Sequence, residues 1–264
     1  MNILTNIANH KRKQVATRKE LYPVALLEKS PFFETTPVSL TRYLLRPDKS
    51  GIIAEFKRKS PSKGVINAYV SIDQVSIGYM QGGASALSIL TDEEFFGGKN
   101  EDLIRARELN YCPILRKDFI LDPYQVLESK SIGADAILLI AAILTPAQTL
   151  ELARLARSLG METILEVHSR DELVHRNGHI SIIGVNNRNL ADFSVNLETS
   201  MSLSEFIDKD DLFISESGLR EPSDIRKLRL AGYRGFLIGE QFMATSDPAT
   251  ACQQFISQLK SEYP

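Results

Sequence analysis

Residues 133–167 read GADAILLIAAILTPAQTLELARLARSLGMETILEV and contain one complete strand–helix–strand unit. Two short apolar runs, 136–140 and 163–167, are bounded by turn signals, as buried strands are. Thr145-Pro146 opens the stretch between them. Proline is tolerated in a first helical turn, where its missing N–H has no intrahelical partner anyway. Gly160 closes the stretch, where the chain must leave the helix. Strands joined by a helix pair in parallel, because a tight hairpin cannot connect them.

The same unit recurs along the chain. Apolar runs at 52–56, 86–90, 114–116, 182–185, 212–214 and 235–238 bring the expected strands to eight. Helix-like stretches follow at 73–81, 101–109, 123–132, 146–159, 170–177, 197–207, 222–231 and 248–260. Asp122-Pro123, Glu221-Pro222 and Asp247-Pro248 mark further helix starts, and Gly133, Gly178 and Gly232 mark ends. Eight such units predict an α/β fold, a closed (β/α)8 TIM barrel. An open doubly wound sheet is the alternative. The chain lacks a GxGxxG or Walker phosphate loop, which weakens it. Residues 1–50 stand outside the repeat, with helices expected at 5–21 and 40–45. They read as an N-terminal helical extension packed on a barrel of residues 51–264, the whole chain 1–264 forming one domain. Pattern alone leaves open whether the extension plugs the bottom of the barrel.

Composition narrows the function classes. The 264 residues are 43% hydrophobic and carry a formal net charge of −2, so no global basic field favours nucleic acid. No apolar run approaches the ~18 residues that cross a bilayer, and no secretory signal opens the chain. A cytoplasmic protein is expected, without membrane or nucleic-acid partners. Cys112 and Cys252 are too far apart in sequence for a CxxC pair and read as inert small residues. His175 and His179 have i, i+4 spacing, but Asn177-Gly178 between them should end the helix, so no metal site is expected. Lys11, Arg12 and Lys13 read as a solvated helix face. The pattern sets no oligomeric state, and a monomer is compatible with it.

In such barrels the active site lies at the carboxyl ends of the strands. There the chain carries Glu55 and Lys57, Lys117, Glu166, Asn186 and Arg188, and Glu216. Side chains alternate along a strand, so Glu55 shares a face with Lys57 and Asn186 with Arg188. The acid–base candidates Glu55, Lys57, Lys117, Glu166 and Glu216 all come from odd-numbered strands, whose inward side chains share layers. Crowding and confinement should shift their proton affinities, lowering a lysine's and raising a glutamate's. That is equipment for general acid–base catalysis. Ser217-Gly218 and Gly239-Glu240 follow the last two strands, where barrels often bind phosphate. Only the backbone amide of Glu240 is expected to contribute, since its carboxylate would repel an anion. The run Ser60-Pro61-Ser62-Lys63-Gly64 offers further donors.

Several of these stretches are also similar to a known family. Ile53-Ala54-Glu55-Phe56-Lys57-Arg58-Lys59-Ser60-Pro61-Ser62 resembles the first-strand signature of the indole-3-glycerol phosphate synthases. Leu115-Arg116-Lys117-Asp118-Phe119, Leu165-Glu166-Val167-His168, Val185-Asn186-Asn187-Arg188-Asn189-Leu190, Ser215-Glu216-Ser217-Gly218 and Leu237-Ile238-Gly239 follow in matching order. The resemblance covers essentially the whole chain. It implies an extension lying over the catalytic mouth and a small phosphorylated substrate, 1-(2-carboxyphenylamino)-1-deoxyribulose 5-phosphate. It also implies ring closure with loss of carbon dioxide and water, without cofactor or metal. By that resemblance Lys117 is the general acid, Lys57 pairs with the substrate carboxylate, and Glu166 is the base or cation stabiliser. Glu55 and Glu216 support the charge network. Asn186, Arg188, Phe119 and Ser217 bind substrate, and Ser60, Gly218, Gly239 and Glu240 hold its phosphate. Two rivals remain: a phosphosugar isomerase on the same barrel, and a non-catalytic barrel that senses phosphosugars.

Overall fold

A computed structural model describes residues 3–189 and 192–261, so Leu190 of the sixth-strand motif lies outside the described residues. Eight strands run in chain order: β1 Ile52–Phe56, β2 Ala86–Leu90, β3 Ile114–Lys117, β4 Ala136–Ile140, β5 Glu162–Val167, β6 Ile182–Asn186, β7 Phe213–Glu216 and β8 Gly235–Ile238. They close into a barrel in sequence order, each parallel to its neighbours, with β8 beside β1. The open-sheet alternative is thereby excluded.

Alternation divides each strand between two cores. Ile53, Leu115, Ile164 and Ile214 point inward and pack together inside the barrel. Their neighbours Ile52, Ile114, Leu165 and Phe213 point outward, into the larger cluster under the surrounding helices. Two residues beyond the inward four stand Glu55, Lys117, Glu166 and Glu216, on the same four odd-numbered strands. An apolar floor therefore carries a charged layer directly above it.

Strands β3, β6 and β7 run on past their apolar cores to Lys117, Asn186 and Glu216. Polar strand ends remain paired because the ladder uses backbone groups, whatever side chain they bear. The stretch expected as a helix at 170–177 is a 3-10 turn, Asp171–His175. Glu172 in this turn reaches back to accept the His168 amide at 2.6 Å. The helix expected at 197–207 is only Glu198–Leu203. Ser204 ends it by donating its hydroxyl to the Met201 carbonyl, a local bond that competes with the helix ladder. A small antiparallel hairpin, Lys59–Ser60 with Gly64–Val65, rises beyond β1 and has no counterpart in the apolar pattern.

The N-terminal extension braces both ends of the barrel. Its helix α1 spans Ile3–Leu21, and two short helices, α2 and α3, span Val24–Leu27 and Leu40–Leu44. Leu40 and Leu44 of α3 join the interior cluster. Leu44 reaches Gly235, the first residue of β8, where a Cβ would lie 3.2 Å from Leu44 Cδ1. Carboxylates at the strand entrances fasten this plug: the Val38 amide donates to Asp135 and the Thr41 amide to Glu162, both at 2.7 Å. Helix α1 instead lies over the carboxyl ends, where Ile3, Leu4 and Ile7 line the cavity that Lys117 also lines.

Lys11 does not belong to a solvated face. It is only 2% exposed, and its ammonium sits 2.8 Å from Asp92 and 2.8 Å from Asp118. Burial favours the neutral amine, but the two aspartates outweigh it and hold the lysine above its ordinary value. Arg12 and Lys13 are exposed, as expected. Replacing Lys11 by methionine takes the cation from buried Asp92 and one of two from Asp118, which keeps Arg116, and should cost about 3–5 kcal/mol of stability. Lys13→Met should change it by less than about 0.5 kcal/mol. Urea unfolding of both variants measures the contrast, and equal stabilities would show that the buried pairs contribute nothing.

Candidate active site

Glu55, Lys57, Ser60, Lys117, Phe119, Glu166, Asn186, Arg188, Glu216, Ser217, Gly218, Gly239 and Glu240 meet at one cavity of about 440 Å³, whereas Lys63 and Gly64 of the first loop do not line it. Strand alternation aims them there, and the carboxyl-end loops complete the wall. At its floor the Lys117 ammonium lies 3.1 Å from Glu166 Oε2 and 3.1 Å from Glu216 Oε2. Beside it the Lys57 ammonium donates to Glu55 at 2.6 Å. Three buried carboxylates and two half-buried ammonium groups thus share one layer.

Two glycines make room for that layer. A Cβ on Gly184 of β6 would stand 2.4 Å from Glu216 Oε1, and one on Gly239 would stand 2.4 Å from Glu55 Oε1. Gly239 is therefore required first by a carboxylate of the charge layer. Any larger residue there displaces Glu55 before it obstructs a ligand, so Gly239→Val is not a clean probe of phosphate approach.

Confinement acts on the glutamates unequally. Burial pushes Glu216 up to about 7, against the pull of Lys117. Burial also pushes Glu166 up, but Lys117, His168 and the Asn186 amide outweigh it and hold Glu166 below its ordinary value. Lys117 departs from the expectation that crowding lowers its proton affinity. Burial does oppose its charge, yet Glu216, Glu166 and Glu55 together raise it well above the ordinary lysine range. Three anions at close range count for more than desolvation here.

The polar rim has its own geometry. Ser217 and Gly218 both have positive φ, +68° and +77°. A left-handed serine is uncommon, and such strain gathers at functional sites. A side chain on Gly218 would strike Val195 at 2.3 Å, so this turn is packed beneath the loop after β6. Arg188 bonds Glu240 at 3.3 Å and the Phe193 carbonyl at 3.3 Å. Glu240 also lines the cavity, and its charge is met by Arg188 and, at 3.7 Å, by Lys63. Ser60 is buried at the base of the hairpin. Phe119 faces the cavity, its ring 5.9 Å from that of Phe96.

The sequence model of the family "Indole-3-glycerol phosphate synthase" matches residues 4–255. An indole-3-glycerol phosphate synthase of Bacteroides thetaiotaomicron is 45% identical over 259 residues, covering 98% of this chain and 99% of its own length. The chain belongs to this family. Family members from Carboxydothermus hydrogenoformans and Bordetella pertussis are each 37% identical, covering 96% and 97% of this chain and 98% and 99% of their own. Tryptophan synthase subunit alpha of Legionella pneumophila superposes with a TM-score of 0.60 at 13% identity, covering 84% of this chain and 97% of its own. Thiamine phosphate pyrophosphorylase of Pyrococcus furiosus superposes at 0.59 with 14% identity, covering 86% and 100%. At such identities these two likenesses concern the barrel alone.

Several residues of this synthase-family site escaped the sequence reading. Ile3, Leu4 and Ile7 roof the cavity, and Phe96, Leu138, Ile140 and Phe193 add apolar wall. The first three, with Lys11, follow helical spacing along one face, which was the available signal. Arg220 also lines the cavity, beyond the Ser217-Gly218 turn. Away from the site, burial pushes both cysteine thiols up to about 12, consistent with inert residues. The turn ends at His175, so His175 and His179 share no helical face.

The unequal glutamates give a test by stability. Glu216 binds its proton more tightly folded, at about 7, than at its ordinary 4.5. That contribution is complete below about 4.5 and fades as the pH rises through about 7. Glu216→Gln removes it. The stability of the variant relative to the unsubstituted protein should therefore improve between pH 4.5 and 7, by up to about 3 kcal/mol. Urea titrations at pH 5 and pH 8 read the difference; a change of opposite sign would contradict the assignment.

Proposed function

We propose that this chain catalyses the reaction for which its family is named, converting 1-(2-carboxyphenylamino)-1-deoxyribulose 5-phosphate to indole-3-glycerol phosphate, carbon dioxide and water. Lys117, held at 3.1 Å from each of two carboxylates at the floor of an apolar-walled cavity, is the observation that carries this reading. An isomerase needs no apolar wall of this kind opposite its acid–base groups. A passive phosphosugar sensor gains nothing from burying three carboxylates against two lysines.

The substrate is a small molecule, anionic at both ends with an aromatic ring between. Phe96, Phe119 and the α1 residues Ile3, Leu4 and Ile7 suit the ring. Lys57 has three donors and uses one on Glu55, leaving two for the ring carboxylate. The Ser217-Gly218 turn, Gly239 and Ser60 suit the phosphate. The charge of Glu240 is already met by Arg188 and Lys63. Holding the ring carbon against the ribulose carbonyl is then a task of proximity.

The ring carbon bearing the carboxylate attacks the carbonyl carbon, and Lys117 gives a proton to the carbonyl oxygen. Breaking the bond to the carboxylate releases carbon dioxide, and its electron pair restores the aromatic ring. The new hydroxyl leaves as water with a proton from Lys57, and Glu166 stabilises the resulting cation and removes its proton. Arg188 and Asn186 orient the substrate. Glu216, with its affinity near neutrality, returns a proton to Lys117.

Mixing the purified protein with the carboxyphenylamino substrate should produce indole fluorescence. Substrate without its phosphate should react with a much higher KM, and inorganic phosphate should compete. Absence of product, with turnover of a phosphosugar isomerase substrate instead, would assign the barrel to the rival chemistry.

The two lysines separate by substitution. Arginine keeps the positive charge but does not give up a proton in proteins. Lys117→Arg should lower kcat by roughly 10²–10⁴-fold. Lys57→Arg keeps its carboxylate partner and should show its larger effect in KM. Steady-state kinetics beside the two alanine variants provide the comparison. Near-normal kcat in Lys117→Arg, or greater damage in Lys57→Arg, would reverse the two roles.

A further inference from the structure

Lys117 meets two carboxylates at the same distance, yet the two are not equivalent. On Glu216, Oε2 faces Lys117, while Oε1 lies over Gly184 and has no hydrogen-bond partner among the described residues. On Glu166, each oxygen faces a basic group. Oε2 lies 3.1 Å from Lys117, and Oε1 lies 3.5 Å from Nε2 of His168. The imidazole stands behind Glu166 and does not line the cavity. Its other nitrogen, Nδ1, lies 3.4 Å from Glu172 Oε2, which also accepts the His168 amide at 2.6 Å. The ring is thus wedged between two carboxylates, and its nitrogens have no closer hydrogen-bond partner among the described residues.

We propose that His168 is a positioning residue that determines which of the two carboxylates on Lys117 stays ionised. This deepens the proposed reaction, since it rests on Glu166 acting as the base. At 3.4–3.5 Å the contacts are those of neighbouring charges, longer than good hydrogen bonds. An imidazolium there favours the anion of Glu166 and reaches Glu216 only more weakly. Environments that push apart two like groups assign one as base and the other as proton carrier. The charged groups facing His168 are Glu166 on β5, two residues before it, Glu172 on the following turn and Glu216 on β7. Lys117 on β3 faces it across Glu166, and Asn186 on β6 adds a neutral amide to Glu166. Burial opposes the imidazolium, but the three glutamates prevail and raise its affinity for a proton. Glu172 so keeps His168 charged, and His168 keeps Glu166 charged.

Imidazole NMR reads this coupling directly, because the chain has four histidines and His168→Asn identifies the signal by its loss. The His168 midpoint should lie above the ordinary 6.5, and should fall in Glu166→Gln and in Glu172→Gln. In kinetics, His168→Asn should move the acid limb of the kcat profile up by about one pH unit. That is about a tenfold loss at pH values below the limb, while KM changes less than about threefold. A side chain that merely fills space would lower stability and leave the limb in place. An unchanged limb in folded His168→Asn, or a His168 midpoint indifferent to Glu166→Gln, would overturn the proposal. If His168→Asn fails to fold, the midpoints in the unsubstituted protein and in Glu166→Gln still decide it, the signal being assigned through the ring–backbone correlation. Failure to form the indole product would reject the proposed reaction and leave the titration to judge the coupling.

Discussion

An ammonium group enclosed by a barrel must be paired, and the position of half-buried Lys117 between buried Glu166 and Glu216 constrains everything around it. Each unpaired ion would cost several kcal/mol. The partners therefore come from the strands whose side chains share its layer, β5 and β7. The strand next to that layer must yield volume, and β6 does so with Gly184. Glu55 makes the same demand on Gly239. Beneath the ions, Ile53, Leu115, Ile164 and Ile214 exclude water from the floor. Glycine at these places follows from the size of a carboxylate.

The same alternation fixes Lys117 from behind. Its neighbours Arg116 and Asp118 point the opposite way, into a second network of buried charge. Arg116 pairs with Glu128 at 2.6 Å and with Asp118 at 3.2 Å. Asp118 also receives Lys11 from α1, and Arg18 of the same helix pairs with Glu128. In spite of burial, Lys11 and Arg116 hold Asp118 ionised, well below the usual carboxylate range. The residues on both sides of Lys117 are thus tied to the N-terminal helix that roofs the cavity. Phe119 follows at once, its amide donating to Asp118 at 2.8 Å. Roof, aromatic wall and lysine are therefore joined by one network of buried ion pairs and hydrogen bonds, which gives the extension a physical reason to be part of the site.

Much of this was legible because strand periodicity is local. Knowing that Glu55, Lys117, Glu166 and Glu216 end odd-numbered strands was enough to place them in one layer. Helix boundaries at Pro123, Pro146, Pro222 and Pro248 followed from the chemistry of the first turn and stand where expected. Strand ends were cut short at Lys117, Asn186 and Glu216, because an apolar criterion cannot see that a polar residue keeps its backbone pairing. Lys11 was invisible for a different reason. A lysine on a helix reads as solvated until its partners, Asp92 and Asp118, are brought to it by the barrel. His168 stood in a quoted motif, yet its relation to Glu166 and Glu172 depends on a tight turn that helical spacing did not anticipate. The lowered lysine affinity expected from crowding failed on magnitude, since it weighed desolvation without counting three nearby anions.

That reversal bears on how Lys117 would act as the acid of the proposed reaction. A lysine that holds its proton this firmly yields nothing to a neutral carbonyl. In that reaction, however, attack by the ring carbon turns the carbonyl oxygen into an alkoxide, whose conjugate acid is as weak as water. The proton then moves downhill, and before it moves the fixed ammonium already stabilises the developing charge. Binding that strengthens only as the oxygen becomes charged lowers the barrier without tightening the ground state. Raised affinity is thus compatible with acid catalysis at an oxyanion and incompatible with it at a weak base. After transfer the neutral amine lies between two carboxylates, and the site needs one of them to bring a proton back. Glu166, faced by basic groups at both oxygens, is the poorer carrier. Glu216, with one oxygen unpartnered among the described residues and an affinity near neutrality, is the better one.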